Sequence, residues 1–597
     1  MTHAGSLLPP PPEPVWEEAE PPEAGAVEAL ARELSLPPAL CAVLVGRGMA
    51  AAGSVRSFLR PRLEHLHPPA ALPDADLAAD RILGAIDAGE TILVHGDYDV
   101  DGVCATALLT RWLRRLGGTV VPFVPHRTEH GYDLGPAGVA AAAASGARLL
   151  LTCDSGVRAH AAVEAATAQG IDVIVTDHHE PGATLPAALA VVNPLRSDST
   201  YPESTLCGTG VAYKLASLLG ERRGIDVSEL HPLLALVALA TVADLVPLEG
   251  ENRVLVRFGL RYLAHTKDLG LRALMEVAGV RGEVDAGQVG FVLGPRINAI
   301  GRMGAADTAL RLLLAEDRTE ALALARELDE ANRVRQEEDR RTLAEALALL
   351  ARTFDPVRDF GVVLAGEGWH PGVIGIVASR IVERIHRPVV VIALEGGRGR
   401  GSARSIPGVH LHEALAGCSG HLERFGGHRQ AAGMDVAASE IAGFRKTFSA
   451  QVRDQLSGRL PVPRLGCGTS VSLEQATDEF HRLLEYMAPF GIGNPRPVLR
   501  VCGVEVAGVP REVGDGHLKL TLKEGAGQLE AIGFGLARRR PPETLRGTSV
   551  DAVFQLRTHE YRGKVSLQAR LLDLRPAGAG SSRTGTEQTT RGRDLVA

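Results

Sequence analysis

HGDYDVDG (residues 95–102) is the stretch that decides the fold, because it joins a predicted strand, TILVH (91–95), to a predicted helix, VCATALLTRWLRRLG (103–117). Its three carboxylates fall within five residues and repel one another, so burying them without cations would be very costly. A second group, Asp177-His178-His179, ends another predicted strand. Carboxylate and imidazole ligands without thiolates favour Mn²⁺ or Mg²⁺, and histidine favours Mn²⁺. The sequence therefore predicts a centre for hard divalent cations.

Apolar runs separated by Ala-rich helices continue beyond this stretch, at ARLLLTCD (147–154), IDVIVTD (171–177) and ALAVVNP (188–194). This alternation is typical of a parallel sheet covered by helices on both faces. Ligands of such sheets collect at the carboxyl ends of the strands. We therefore expect residues 95–101, Asp154 and residues 177–179 to meet at one edge.

The rest of the chain predicts further domains. Residues 308–350 lack Gly and Pro and keep a helical period, residues 358–455 repeat an α/β pattern, and Val/Leu strands from 463 to 575 suggest a small barrel. The predicted fold class is α/β with two lobes. The boundaries are a disordered start (1–23), a parallel-sheet domain with a helical lead-in (24–300), connecting helices (301–355), a smaller α/β domain (356–457), a β-barrel (460–576) and a disordered tail (577–597).

Composition narrows the class of protein. The 597 residues exceed what one core supports, and the seven cysteines form no CxxC pair, which favours a reducing cytoplasm over a disulfide framework. We expect no signal peptide and no membrane span, because no apolar run is long enough. The net charge of −7 argues against indiscriminate coating of nucleic acid, but it leaves room for a local basic channel.

Two cations about 3.5–4 Å apart can activate a water and hold both oxygens of a phosphoester undergoing displacement. Asp244, in the apolar segment ALATVADLVPL, is a further candidate ligand. In isolation, a single Asp in such a segment is more often an N-terminal helix cap or a hydrogen-bonded helix breaker. The number of other ligand candidates favours the metal interpretation.

Several motifs carry a resemblance to a known superfamily. GDYDVDG, TCDSG, VTDHHEP and ATVADLVPL resemble, in order, the four motifs of the DHH phosphoesterases, and RFGGHRQAAG is similar to the motif of the associated DHHA1 domain. With GPRINAIGRMG, GWHPGVIGIVASRIVERIHRPVVVI and a C-terminal barrel, the chain from about residue 30 to 575 resembles the RecJ family of bacterial exonucleases. The resemblance implies 5′-to-3′ hydrolysis of single-stranded DNA in recombination and repair, and a barrel of the OB type.

The resemblance also implies roles for the ligand candidates. His95, Asp99 and Asp154 would hold one Mn²⁺ or Mg²⁺ ion, and Asp101, Asp154, His178 and Asp244 would hold the second, with Asp154 shared. Asp97 and His179 would support the ligands or contact the scissile phosphate. For His95 an alternative remains, namely a strand-end histidine bonded to a carbonyl group.

Phosphate contacts are expected in the smaller α/β domain. Ser402 and Arg404 alternate onto one side of a predicted strand, so a hydroxyl and a guanidinium can converge on one phosphate. With Arg127 they resemble a pocket for a 5′-terminal phosphate, which Arg296 or Arg302 would complete. Gly426, Gly427 and His428 would cradle the nucleotide next to the cut. The alternative for arginines beside glycines is a solvated loop.

Two other functions stay open. A phosphodiesterase acting on oligoribonucleotides or cyclic dinucleotides would use the same metal core, although the lead-in and the barrel argue against it. A non-catalytic DNA-binding scaffold would keep the fold without the ligands, yet Asp or His occupies every ligand position here. Expected partners are single-stranded DNA, a single-strand-binding protein and a helicase.

Overall fold

The computed structural model describes residues 11–126, 131, 133–303, 307–561 and 563–578. The chain divides into two compact units. The first unit comprises Arg56–Val334 and Met487–Arg496, and the second comprises Met1–Val55, Arg335–Tyr486 and Pro497–Ala597. Within the described ranges, no helix combines the length and the apolar character needed to cross a membrane.

The strands and helices of the described residues are as follows. The strands are β1 (Val15–Glu17), β2 (Thr91–Gly96), β3 (Thr119–Phe123), β4 (Leu149–Cys153), β5 (Asp172–Thr176), β6 (Ala190–Val192), β7 (Val362–Glu367), β8 (Val389–Glu395), β9 (Arg398–Arg404), β10 (Arg424–Gly427), β11 (Ala431–Ala437), β12 (Arg464–Gly466), β13 (Thr469–Ser470), β14 (Leu499–Val513), β15 (His517–Glu524), β16 (Gly527–Gly533), β17 (Ser549–Tyr561) and β18 (Lys564–Pro576). The helices are α1 (Ala24–Leu34), α2 (Pro38–Gly46), α3 (Ala52–Leu59), α4 (Ala75–Asp87), α5 (Val100–Arg115), α6 (Pro136–Ala144), α7 (His160–Thr167), α8 (Gly208–Arg222), α9 (Leu234–Ala243), α10 (Gly250–Ala264), α11 (Leu269–Ala278), α12 (Ala286–Gln288), α13 (Gly294–Met303), α14 (Asp307–Leu314), α15 (Arg318–Thr353), α16 (Ile374–Ile385), α17 (Leu411–Ala416), α18 (Ile441–Gln455) and α19 (Asp478–Glu485).

The first unit contains the predicted parallel sheet, with strand order β3-β2-β4-β5-β6. Its strands are apolar on both faces because a hydrophobic core covers each face: α4, α5 and α8 pack on one side, and α6 and α7 on the other. The register pairs His95 with Thr152 and Cys153 with Thr176, so the ends of β2, β4 and β5 are level. This alignment brings the predicted ligand loops to one edge.

The second unit contains a mixed sheet and a barrel. The sheet order is β10-β11-β9-β8-β7, in which β7 and β8 are parallel and the other pairs are antiparallel. The barrel runs β14-β15-β16-β18-β17 and closes through pairing of β14 with β17. Closure removes the exposed strand edges that an open sheet of this size would present. The predicted two-lobed α/β fold with a terminal barrel is confirmed.

The predicted connecting helices are α14 and α15, and the division between the units falls within α15. With 36 residues, α15 is far longer than a typical globular helix. Its exposed surface carries ion pairs between neighbouring turns, such as Arg341 with Glu338 and Glu345. Such pairs each add a few tenths of a kcal/mol, about 0.2–0.5, to helix stability.

The chain start differs from the prediction that residues 1–23 are disordered. Val15–Glu17 forms β1, which pairs in parallel with β12. The reason is Trp16, which is buried and donates a hydrogen bond from Nε1 to Oδ2 of Asp573 at 3.0 Å. The sequence does not reveal this strand, because a single aromatic residue in a Pro-rich segment produces no hydrophobic periodicity. Almost all of the predicted disordered tail, 577–597, lies outside the described residues.

Two segments also belong to units other than the predicted ones. Residues 24–55, predicted as the lead-in of the parallel-sheet domain, group with the second unit, where α2 packs against β13 and α19. Residues 487–496, predicted as part of the barrel domain, group with the first unit. Both assignments depend on contacts between residues far apart in sequence, which local patterns do not encode.

Candidate metal centre

The β2–α5 loop is shaped by its own carboxylates. Asp99 caps α5, because its Oδ1 accepts hydrogen bonds from the backbone N–H groups of Asp101 at 2.9 Å and Gly102 at 3.1 Å. A negative charge at a helix N-terminus is favourable. The cap thereby fixes the turn from β2 into α5, which carries Asp97, Asp99 and Asp101.

Asp101 is held by the start of α8, more than a hundred residues along the chain. Its carboxylate accepts hydrogen bonds from the N–H groups of Gly208 at 2.6 Å and Thr209 at 2.7 Å, and from Oγ1 of Thr209 at 2.6 Å. A Cβ on Gly208 would lie 2.5 Å from Cβ of Asp154, so only glycine permits this approach. Neither Gly208 nor Thr209 is predicted from the sequence as a site residue. Their signal is the Gly-Thr-Gly start of a helix, which does not reveal the carboxylate it binds.

Asp154 follows β4 with a left-handed backbone, φ 61°. Among non-glycine residues, Asp and Asn tolerate this conformation best, and strain of this kind clusters at functional sites. The bend aims Oδ1 at Nε2 of His178, 3.0 Å away. Both atoms are buried, and within the described residues neither makes a hydrogen bond of acceptable geometry. Two orphaned polar atoms facing each other are what a missing cation would leave.

Asp177 serves His179 rather than the ligand cluster. Its Oδ1 lies 2.8 Å from Nδ1 of His179, and its Oδ2 accepts from the N–H of Val157 at 2.9 Å. Although burial lowers the pKa of His179, the hydrogen bond and charge of Asp177 raise it to about 9 overall. His179 is therefore protonated at neutral pH, the state needed to donate to a phosphate oxygen.

Asp244 lies at the C-terminal end of α9, where its N–H donates to the carbonyl of Ala240 at 2.8 Å. The alternative of an N-terminal cap is wrong, because Asp244 follows the last residue of the helix. At that position its carboxylate faces the negative end of the helix dipole, which is unfavourable. Its Oδ2 lies 3.7 Å from Nε2 of His178, and Oδ2 of Asp101 lies 3.6 Å from the same atom. Asp244 therefore belongs to the cluster despite a cost to the helix.

Among the described residues, three groups of side chains could each hold an ion, with ligand atoms within 4.8 Å of one another. They are Asp97, Asp99 and Asp154; Asp101, His178 and Asp244; and Asp154, His178 and His179. Asp154 and His178 each appear twice, which agrees with a shared, central position. His95 is in none of the three groups.

His95 is buried at the end of β2, with its ring centroid 5.4 Å from that of Phe123. Burial lowers the pKa of His95 to about 4, so the ring is neutral and able to bind a metal. Its Nδ1 is buried without a hydrogen bond in the part of the chain that the structure describes. The ligand role of His95 stays a prediction.

The carboxylates of the centre outnumber the positive charge beside them, which comes from the protonated His179. Burial, followed by repulsion from Asp101 and Asp99, raises the pKa of Asp154 well above its ordinary range and that of Asp244 to about 8. Burial also lowers the pKa of His178, which keeps the imidazole neutral. Oxygen ligands with neutral imidazole and orphaned buried atoms fit a hard divalent cation, which would supply the missing positive charge.

Ser402 and Arg404 converge as predicted, on β9 of the second unit. Nη1 of Arg404 donates to Oγ of Ser402 at 3.0 Å, and a Cβ on Gly375 would lie 2.8 Å from Nη2 of Arg404. Gly375 is in the first turn of α16, whose N–H groups favour anions. Burial lowers the pKa of Arg404, and no described carboxylate pairs with it. A half-buried guanidinium without an acidic partner suits a phosphate better than the alternative of a solvated loop.

The remaining predicted contacts have different outcomes. Gly426 and Gly427 end β10, and the N–H of the exposed His428 donates to the carbonyl of Ala431 at 2.8 Å. Arg296 instead forms an ion pair with Asp329 at 2.9 Å, so its guanidinium is already occupied. Arg302 lies in α13, but its side chain is outside the described residues, as is the whole of Arg127.

Comparison with known proteins agrees with this geometry. Residues 91–241 match the DHH family, N-terminal domain; residues 359–454 match the DHHA1 domain; and residues 468–573 match the RecJ OB domain. The parallel sheet with its carboxylate and histidine cluster, followed by the DHHA1 sheet, defines a DHH-type phosphoesterase.

Relatives over the full length define the family further. The chain is 37% identical to the single-stranded-DNA-specific exonuclease RecJ of Escherichia coli, over 91% of this chain and 96% of that protein. It is similar to the crystal structure of RecJ in complex with Mn²⁺ from Thermus thermophilus, with a TM-score of 0.79 and 32% identity over 95% of this chain and 80% of that chain. For the Mg²⁺ complex of RecJ from the same organism, the TM-score is 0.74 and the identity is 30%, over 95% of this chain and 79% of that chain. The chain belongs to the RecJ family.

Proposed function

We propose that this chain is a metal-dependent exonuclease that hydrolyses phosphodiester bonds of single-stranded DNA from the 5′ end, in recombination and repair. The observation that carries the proposal is the buried carboxylate cluster around Asp154 and His178, in which two facing polar atoms lack a hydrogen bond among the described residues and the pKa of Asp154 is raised well above its ordinary range. The relatives of 30% identity and above bear the name of a single-stranded-DNA-specific exonuclease, and two of their structures contain Mn²⁺ or Mg²⁺.

Two ions would be bound, in our proposal, by the ligand sets that the resemblance implies. His95, Asp99 and Asp154 would hold one, and Asp101, Asp154, His178 and Asp244 the other. When bound, such a pair activates a water and neutralises charge on the phosphate. Asp154 belongs to two of the three ligand groups found among the described residues, which supports its role as a ligand shared between ions.

The chain's own residues orient the reaction. His179, protonated through Asp177, would donate a hydrogen bond to an oxygen of the scissile phosphate. The hydrogen bonds from Gly208 and Thr209 fix Asp101, so that its carboxylate does not reorganise when substrate binds. Fixed dipoles of this kind lower the cost of reaching the transition state.

One assay separates the candidate functions. The protein is incubated with Mn²⁺ and end-labelled single-stranded DNA, duplex DNA, a short RNA or a cyclic dinucleotide, with the Asp154→Asn variant as control. We expect single-nucleotide products from single-stranded DNA alone. Preference for the short RNA or the cyclic dinucleotide would favour the phosphodiesterase, and binding without cleavage would favour the scaffold.

The 5′ polarity is tested at Arg404. We expect wild-type protein to degrade 5′-phosphorylated DNA faster than 5′-hydroxyl DNA, and Arg404→Ala to erase most of that preference. A hydrogen bond to a charged group contributes about 1.5–3 kcal/mol, so the loss should be roughly ten- to a hundred-fold. Arg398→Ala is the matched control, because Arg398 lies on the same strand but is exposed. Equal rates of the wild-type protein on 5′-phosphorylated and 5′-hydroxyl DNA would contradict the proposed phosphate pocket.

The surroundings of the enzyme form a further part of the proposal. An enzyme restricted to single strands needs a source of them, which a helicase supplies by unwinding duplex DNA. A single-strand-binding protein would occupy the same substrate. We propose both as partners, in the cytoplasm. Co-purification with the full chain, with and without nuclease treatment, distinguishes direct contact from tethering by DNA.

A further inference from the structure

Phe291 is the most exposed large apolar side chain among the described residues, with 87% of its surface accessible. It is the middle residue of a single π-helical turn, Val289–Leu293, which joins α12 to α13. Val289 and Leu293, at the two ends of the turn, are buried. The turn therefore anchors itself on both sides and holds an aromatic ring out in solvent, where it adds nothing to the core. Single π-turns within helices are frequent at functional sites.

This turn lies against two parts of the metal centre. A Cβ on Gly290 would be 3.7 Å from Cγ1 of Val242, and a Cβ on Gly294 would be 3.5 Å from Cβ of Ala243. The turn therefore packs against the last residues of α9, immediately before Asp244. Beyond the turn, Oδ1 of Asn298 accepts from the N–H of Val100 at 3.2 Å, directly after Asp99. The segment carrying Phe291 contacts the elements that hold two candidate ligands.

A second exposed apolar side chain follows Asp244. Leu245 has a φ of 60°, a conformation unusual for leucine, and 68% of its surface is exposed. Charged ligand groups and exposed apolar side chains thus occur next to each other at this edge. Single-stranded DNA has the same alternation, since the sugar of each nucleotide carries both a charged phosphate and a base with an apolar π-face.

We propose that Phe291 is a stacking platform for the base of a nucleotide that flanks the scissile phosphate. This inference rests on the proposed function and deepens it, by naming how the base is recognised. Base–aromatic stacking contributes about 1–3 kcal/mol and accepts every base, because each has a π-face. The platform would position any sequence without reading it, and it requires an unpaired base.

The first experiment reads stacking without hydrolysis. In the Asp154→Asn background, 2-aminopurine is placed at each of the first four nucleotides from either end of a single-stranded oligonucleotide. We expect its fluorescence to be quenched at one position upon saturation with protein, and to stay bright with Asp154→Asn/Phe291→Ala. Equal fluorescence in the two backgrounds at all positions overturns the proposal. Because no cleavage is needed, this result stands even if the proposed hydrolysis is not observed.

The second experiment pairs the side chain with the base. An abasic nucleotide at the quenched position should lower the wild-type kcat/KM roughly ten-fold. Phe291→Ala should lower kcat/KM on normal DNA by a similar factor and show less than about a two-fold further loss with the abasic nucleotide. Phe291→Trp should restore the wild-type pattern. Val357→Ala, at an apolar position of the second unit with 70% of its surface exposed, is the control.

The outcomes are distinguishable. If Phe291→Ala loses activity but keeps the full ten-fold abasic penalty, the ring acts on structure alone and the proposal is overturned. If wild-type protein cleaves no single-stranded DNA, the proposed function fails, and the fluorescence comparison still decides whether Phe291 stacks.

Discussion

Two clusters of buried charge lie in the first unit, one around Glu251 and one around Asp154, and they differ in how their charges are balanced. Glu251 accepts hydrogen bonds from the hydroxyl of Tyr201 at 2.6 Å and the N–H of His67 at 2.7 Å, and it pairs with the ammonium of Lys214. The charges of this cluster cancel internally. Around Asp154, in contrast, carboxylates face carboxylates and a neutral imidazole.

The difference separates charge that holds the fold from charge that is kept for a ligand. In the Glu251 cluster, burial lowers the pKa of Lys214 while the carboxylate of Glu251 opposes that shift. In the metal centre, burial and repulsion act together on Asp154, and the positive charge of the nearby His179 is already paired with Asp177. Such imbalance is costly unless a bound ion or protonation of the carboxylates removes it.

Replacing Asp154 by Asn should reduce hydrolysis of single-stranded DNA roughly a thousand-fold or more, because metal ions supply several kcal/mol to the transition state. Asn keeps the left-handed backbone, so the fold should be retained. Rates with Mn²⁺ are compared with those of Asp76→Asn, an exposed ion-pair residue whose loss should leave activity unchanged. Near-normal turnover of folded, metal-loaded Asp154→Asn contradicts the central role of this residue.

Replacing Glu251 by Gln should lower the stability of the fold while preserving the activity per folded molecule, which is the opposite of the effect expected for Asp154→Asn. The change leaves Lys214 buried and unpaired, and breaking a buried pair costs about 3–5 kcal/mol. Thermal unfolding of the full chain and cleavage at low temperature measure the two effects. An unchanged melting temperature would show that the Glu251 cluster is not structural.

Metal binding should stabilise the wild-type protein. At about one hundred times the dissociation constant, a ligand adds about 2.7 kcal/mol. We expect Mn²⁺ to raise the melting temperature of wild type and Glu251→Gln, and to raise it little for His178→Ala. A chelator should reverse the gain. An equal Mn²⁺ effect in His178→Ala would place the ion elsewhere.

The raised pKa of Asp244 should make stability depend on pH in the presence of chelator. Because the pKa of Asp244 is raised from 3.8 to about 8, its contribution to stability is greatest below about pH 4 and is lost as the pH rises through 8. Wild type should therefore lose stability relative to Asp244→Asn between pH 5 and pH 9. Saturating Mn²⁺ should abolish this difference. A pH-independent difference would mean that Asp244 is not destabilised by its neighbours.

Much of this site could be predicted from the sequence. Periodic apolar runs identified β2, β4 and β5, and the rule that parallel strands end at one edge brought Asp154 and residues 177–179 to the β2–α5 loop. Ser402 and Arg404 followed from the two-residue period of β9 in the same way. In each case the signal is local, and the geometry of regular structure supplies the rest.

The partners of these residues could not be predicted, because they come from distant parts of the chain. Nothing near Asp101 points to the N–H groups of Gly208 and Thr209, and nothing near Arg296 points to Asp329. Trp16 is another case, since its partner Asp573 lies at the other end of the chain. Such contacts depend on how helices and strands pack together, and local sequence periodicity does not predict this packing.

The segment Met487–Arg496 has a consequence for how this protein can be taken apart. It lies between α19 and β14 in sequence, yet Arg253 donates to the carbonyls of Met487 at 2.8 Å and Ala488 at 2.9 Å, and the N–H of Leu248 donates to the carbonyl of Ile492 at 2.8 Å. These contacts cover the stretch just after Asp244. The barrel is therefore not a detachable module. Ending the chain near Leu456, or exchanging the barrel for that of a relative, would also remove the hydrogen-bond acceptors of Arg253 and Leu248. A domain swap must therefore retain residues 487–496.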